Sequence, residues 1–155
     1  MSAPTIVSGG QTGVDRAALD AALAAGLPCG GYCPRGRRAE DGPIDARYPL
    51  VETPSEEPAE RTEWNVRDSD ATLVLAAGAP TGGTALAVAC ARRLGRPLWI
   101  HDLDAGPLDR AALRTWLARE GVARLNVAGP RESEQPGVAR RVRAELEACF
   151  AEIRS

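Results

Sequence analysis

The chain has 155 residues, 44% hydrophobic and 26% charged, with a formal net charge of −2. That suffices for one soluble domain with a real core, 1–155, and it excludes a protein that holds nucleic acid by bulk positive charge. Aromatic residues are scarce (Trp64, Trp99, Trp116, Tyr32, Tyr48 and Phe150), which excludes a stacking platform for single strands.

The predicted elements alternate from end to end. "TIV" at 5–7 reads as a short buried strand, followed by glycines and a helix from about Val14 to Ala25. Val14, Ala18, Leu19, Ala22 and Leu23 fall on one side of that helix, and Gly26 and Pro28 end it. "CGGYC" reads as a second strand closed by Pro34. Residues 35–49 are charged and turn-rich, without periodicity, and read as a long loop. "LVET" suggests a short strand, with Ser55 placed to cap a helix reaching about Asp68 and Pro58 in its first turn.

"ATLVLAAG" is the strongest strand signal in the chain. "GGTALAVACARRLG" then reads as a helix ending at Gly95, and "PLWIHDL" as a strand. Asp109 to Glu120 is an amphipathic helix with Leu113, Trp116 and Leu117 on one face. "RLNVAG" is a last strand and Val138 to Ile153 a last helix. Apolar strands separated by helical crossovers predict an α/β protein, a Rossmann-like three-layer α/β/α sandwich with a mostly parallel sheet. Ligands of such sheets sit beyond the carboxyl ends of the strands.

Five stretches are candidates for that edge. "SGGQTGVD", residues 8–15, turns from the first strand into the first helix. Gly9, Gly10 and Gly13, with Gln11 and Thr12, offer bare backbone and the first helix amides, which suit an anion. They fit neither the dinucleotide fingerprint nor the lysine-bearing P-loop. Thr12 and Asp15 also have the spacing of a capping box, and Asp15 would repel an anion in that turn.

"GAPTGGTALA" offers the same chemistry at Gly82, Gly83 and Thr84, or a plain glycine turn ahead of a close-packed helix. "PRGRRAED" crowds Arg35, Arg37 and Arg38 around Gly36, as a phosphate-binding loop or a solvated charge cluster paired with Glu40 and Asp41. All 19 basic residues are arginine, which reads as coding bias, so position alone argues for any one of them. Arg61, Asn65 and Asp68 share one polar helix face, either exposed or lining a ligand site. "NVAGPRESEQPG" contains Gly129, Arg131 and Ser133, as a site loop or a plain polar one.

Cys29 and Cys33 have no second cysteine pair nearby and His101 is the lone histidine, so no structural metal and no Ser–His–Asp triad are expected. The N-terminus carries no basic patch followed by an apolar run, and no stretch is long enough to span a bilayer. A cytoplasmic protein with free thiols, away from membranes, is the expectation.

Together, "SGGQTGVDRAALDAA", "GYCPRGRRAEDG", "YPLVET", "RTEWNVRDSDATLVL", "GGTALA" and "NVAGPRES…PG" resemble, in order, the molybdenum carrier protein family. This is the molybdenum-cofactor carrier branch of the Rossmann-like group that includes the LOG cytokinin-activating hydrolases. The resemblance implies a homo-oligomer, tetramer or dimer, that binds and protects the molybdenum cofactor. Molybdoenzymes or cofactor-biosynthesis proteins would be its partners. Carried over by motif, the contacts are Gly9–Gly13 with Gln11 and Thr12, Arg35–Arg38, Arg61, Asn65 and Gly82–Thr84. The residues alone reach only an anionic, phosphate-bearing small ligand.

The LOG-like hydrolases cleave nucleoside monophosphates, and their "PGGxGTxxE" motif ends in a catalytic glutamate. The matching stretch here, "TGGTALAVACA", has no acidic residue. The balance leans away from an enzyme, unless Asp15, Glu40 or Asp41 supplies the carboxylate. A nucleotide-sensing module without chemistry is the other alternative.

Overall fold

In chain order the elements are β1 (Thr5–Val7), α1 (Val14–Ala25), β2 (Cys29–Gly30), β3 (Tyr32–Cys33), β4 (Arg38–Ala39), β5 (Gly42–Pro43), β6 (Val51–Glu52) and α2 (Pro58–Arg67). They continue with β7 (Ala71–Ala76), α3 (Gly82–Leu94), β8 (Leu98–Asp102), α4 (Arg110–Arg119), β9 (Arg124–Ala128) and α5 (Val138–Arg154). The computed structural model describes residues 3–154. Local signals fix the helix ends. Gly26 and Gly95 take left-handed conformations (φ 73° and 65°) that stop α1 and α3. The Asp109 carboxylate caps α4 by accepting from the Ala112 amide at 3.0 Å.

β1, β2, β7, β8 and β9 form one parallel sheet in the order β2-β1-β9-β7-β8. The last strand in the chain therefore lies in the middle of the sheet. Counting from β9 and carrying on through β1, the order becomes three-two-one-four-five, as in a doubly wound dinucleotide-binding sheet. The order has been kept and the chain opened at a different place. Ile6, Leu73, Leu75, Leu125 and Val127 point to one face and are buried with α1, α4 and α5. The opposite face carries α2 and α3, packed through Val66, Ala87, Cys90 and Ala91. No helix among the described residues is long and apolar enough to cross a membrane.

Four sequence readings are corrected. "CGGYC" is two strands, because Gly31 (φ 132°) bends the chain out of the sheet. A Cβ there would lie 2.3 Å from the Ser8 carbonyl oxygen, so the bend passes where only glycine fits. β3 leaves the main sheet and pairs with β6. Leu23 is 44% exposed, while Ala17 and Ala21 are buried against the α5 side chains. The reason is that α1 packs on α5 as well as on the sheet, which rotates its buried stripe. Ser55 is not the cap of α2: that helix starts at Pro58 after Glu57, and the Ser55 hydroxyl accepts from the Glu57 amide at 3.0 Å.

The fourth correction concerns Arg37. Residues 35–49 are not irregular, since β4 and β5 pair as a small antiparallel hairpin. The Arg37 guanidinium is the loop's scaffold, donating to the carbonyls of Asp45 (2.8 Å), Tyr48 (3.1 Å) and Leu50 (3.2 Å). Those bonds hold Ile44, Tyr48 and Leu50 in a second small core with Leu19 and Cys33. An arginine that gives four of its five N–H donors to the carbonyls of its own loop, Ile44 included, is poorly placed to serve a ligand. Arg37→Ala should therefore cost roughly 2–3 kcal/mol and lower the melting temperature by several degrees, while Arg35→Ala and Arg38→Ala leave it nearly unchanged. A thermal melt of the three variants checks this. An unchanged Arg37→Ala midpoint would contradict the scaffold role.

Candidate functional site

β1, β9 and β7 end on one edge of the sheet, where the connections part to opposite faces. That divergence leaves a crevice, as in other doubly wound sheets. A cavity of about 370 Å³ lies there, floored by Asn126, Val127 and Ala128 of β9 and walled by the starts of α2 and α3.

Of the residues singled out from sequence, Gly9, Gln11, Arg61, Asn65, Gly82, Gly83 and Thr84 line this cavity. The Arg61–Asn65 face is buried rather than exposed. Arg61 reaches from α2 to donate through Nη1 to the Gly9 carbonyl at 2.8 Å. A Cβ on Gly9 would lie 2.5 Å from Cδ and Nη1 of Arg61, so the approach requires glycine. The Asn65 side chain pairs with the main chain of Tyr32, accepting from its amide at 2.8 Å and donating to its carbonyl at 3.1 Å. It thereby fixes β3 just past the Gly31 bend.

Gly10, Thr12, Gly13, Arg35, Gly36, Arg37 and Arg38 are not among the cavity's lining residues. Gly10 and Gly13 admit neighbours instead. A Cβ on Gly10 would meet Leu50 at 2.5 Å, and one on Gly13 would meet the Pro130 carbonyl at 2.2 Å. The Thr12 hydroxyl is shared between the Glu40 carboxylate and the Glu132 amide, so it does not cap α1. Arg35 is exposed, 3.8 Å from Glu56, and Arg38 is exposed on β4. The Gly36 amide donates to Glu52 at 2.6 Å.

The cavity also gathers Asp15, Asn126, Gly129, Arg131 and Glu134. Gly129 and Arg131 belong to the 126–137 stretch. Asn126 is not among the sequence candidates, although a lone amide inside an apolar strand is an anomaly when both faces of the sheet are covered.

The electrostatics divide the site in two. At the first glycine turn the protein supplies its own anion. The Asp15 carboxylate folds back toward the amides of Gly9 and Gln11 and stands 3.9 Å from Arg61 Nη1. Burial pushes its pKa from 3.8 up to about 6, although Arg61, both amides and Arg16 pull it down. A ligand phosphate in this turn would have to displace a carboxylate.

The second turn is uncapped, with the Glu134 carboxylate beside it: Oε2 would lie 3.4 Å from a Cβ on Gly82. The Thr81 side chain makes no cap bond to α3, and the amides of Gly82 and Gly83 have no intrahelical acceptor. A Cβ at Gly83 would meet nothing within 4 Å. Arg131 lies across the cavity mouth, 3.2 Å from Glu134 and 3.7 Å from Glu40. Helix dipole and free amides make the start of α3 an anion site, while Arg131 is already paired with the two carboxylates. Among the described residues no group of three or more His, Cys, Asp or Glu side chains converges on a possible metal. Cys33, Cys90 and Cys149 are buried thiols and Cys29 a half-buried one.

Fold and crevice define a doubly wound α/β ligand-binding protein whose chain has been opened at an unusual point. The chain matches the model of the "Circularly permutated YpsA SLOG family" over residues 6–150, and it belongs to that family. Its fold closely matches a solved structure from Syntrophus aciditrophicus SB described as "Putative molybdenum carrier protein". That match has a TM-score of 0.88 and 38% identity, covering 96% of this chain and 95% of the other. No curated protein is matched significantly.

The buried carboxyl makes a prediction. The folded-state pKa of Asp15, about 6, lies above its ordinary 3.8, so folding binds that proton. The associated stability is complete at low pH and is lost as pH rises through about 6, up to roughly 3 kcal/mol. Asp15→Asn removes this loss. Its melting temperature should exceed that of the wild type by several degrees near pH 8, with the gap closing toward pH 4 in a pH series of thermal melts. A variant less stable than wild type at high pH would contradict the uncompensated burial.

Proposed function

We propose that this protein binds and shields an anionic, phosphate-bearing small ligand in the crevice between α2 and α3, and that this ligand is the molybdenum cofactor. The observation that carries the proposal is the uncapped start of α3. Its unpaired amides at Gly82 and Gly83 border the cavity, while the rival glycine turn is occupied by the Asp15 carboxylate beside Arg61. The phosphate sits on α3, and the pterin extends toward Arg61, Asn65 and Asn126. A cavity of about 370 Å³ falls in the range of small-molecule sites. The solved structure described as a molybdenum carrier supports the choice of ligand.

Such a carrier receives its cargo from cofactor-biosynthesis proteins and delivers it to molybdoenzymes. The dimer or tetramer implied by the family resemblance belongs to the same reading.

Asp15 favours a second reading. α3 has no acidic residue where a LOG-like hydrolase has its glutamate, but Asp15 brings a carboxyl of raised pKa into the same cavity. That is the group a nucleoside-monophosphate glycosidase needs.

Titration of the purified protein with molybdenum cofactor, molybdate and nucleoside monophosphates, with analysis for released base, separates the two. A carrier gives saturable cofactor binding and no base release. Gly83→Asp places a carboxylate at the start of α3, where it favours the helix but repels a phosphate. It should leave the melting temperature unchanged or raised and weaken cofactor binding about tenfold or more. Failure of the wild type to bind cofactor, or undiminished binding by Gly83→Asp, would overturn the proposal, and released base would favour the glycosidase.

A further inference from the structure

We infer that Asp15 selects the heterocycle of the ligand. Its carboxylate accepts the paired N–H donors of a 2-amino-4-oxo ring, the edge shared by pterins and guanine, and turns adenine away. This inference rests on the phosphate site at α3, which anchors the other end of the ligand.

The carboxylate is placed and under-satisfied for that task. It lines the cavity with its side chain 14% exposed. A carboxylate only accepts, and it has about four lone-pair sites. The groups that favour its charged form are Arg61, no closer than 3.9 Å, and the neighbouring amides of Gln11 and Gly9.

The other charged groups around it are committed elsewhere. Arg16, on the same helix, donates to the Gly10 carbonyl at 3.0 Å and to Asp41 at 2.8 Å. Arg131 and Glu134, from the loop after β9, are held together at 3.2 Å. Burial outweighs all these partners and raises the pKa, the mark of an anion still short of donors.

Ring N–H and exocyclic amine, side by side on a pterin or guanine, would supply two parallel charge-assisted bonds. Adenine presents a ring-nitrogen lone pair and a C–H on the corresponding edge. It would leave the carboxylate unpaired and repelled. Sites built on buried polar pairs reject such analogues strongly.

The test uses guanosine and adenosine 5′-monophosphates, which share one phosphate, so the titration of that phosphate cancels in the ratio of their affinities. Calorimetric titration of the wild type near pH 7.5 should show guanosine monophosphate preferred by about tenfold or more. The preference should shrink toward unity near pH 5, where Asp15 is protonated, and in Asp15→Asn, which still binds both nucleotides through phosphate. Equal affinities in the wild type, or a preference that survives in Asp15→Asn, would overturn the inference and leave the phosphate site standing. If neither nucleotide binds the wild type, both the phosphate site and this inference fail.

Discussion

The contact between Arg61 and the first glycine turn ties the site together. Arg61 stands on α2, on one face of the sheet, and its guanidinium crosses the sheet edge to the Gly9 carbonyl and the neighbourhood of Asp15, on the first turn of α1. Helices from opposite layers are thereby joined over the ends of the strands. The contact exists only because residue 9 has no side chain. A buried arginine–carboxylate pair is poor value as a stabiliser, since removing both charges from water costs about as much as their attraction returns. Its consequence is electrostatic: the inner cavity is close to neutral, with its anion already in place. The unpaired positive end is the start of α3, since Arg131 is held by Glu134 and Glu40.

Topology explains why these groups meet. In a doubly wound sheet the crevice falls where successive connections depart in opposite directions. Here that point lies at β9, flanked by β1 and β7. Gly9 and Gly129 are far apart in the chain yet line one cavity. The site depends on strand order and not on where the chain is opened, so a permuted chain keeps the same crevice.

The alternation of strands and helices was legible because each element carries its own evidence: apolar runs at Ala71–Ala76 and Arg124–Ala128, and stop glycines at Gly26 and Gly95. The glycine turns were legible as places of close approach. What each one approaches was not. Gly9, Gly10 and Gly13 look alike in sequence, but one admits an arginine, one a leucine and one a carbonyl from the far end of the chain.

The arginines divided in the same way. Arg37 serves backbone carbonyls within its own loop, whereas Arg61 crosses to the cavity. Local pattern does not distinguish them, because the difference lies in long-range partners. In sequence Asp15 reads as a repulsive neighbour of a bound anion, and in the fold it occupies that position itself. The middle position of β9 was likewise hidden, since a five-residue strand does not state its neighbours.

The most direct measurement is a crystal structure of the protein with molybdenum cofactor bound, locating the phosphorus atom. The phosphate is expected on the amides of Gly82 and Gly83, with Asp15 still seated beside Gly9 and Gln11. A phosphate lodged in the Gly9–Gly13 turn, with Asp15 swung out, would contradict the division of the site into an occupied and an uncapped glycine turn.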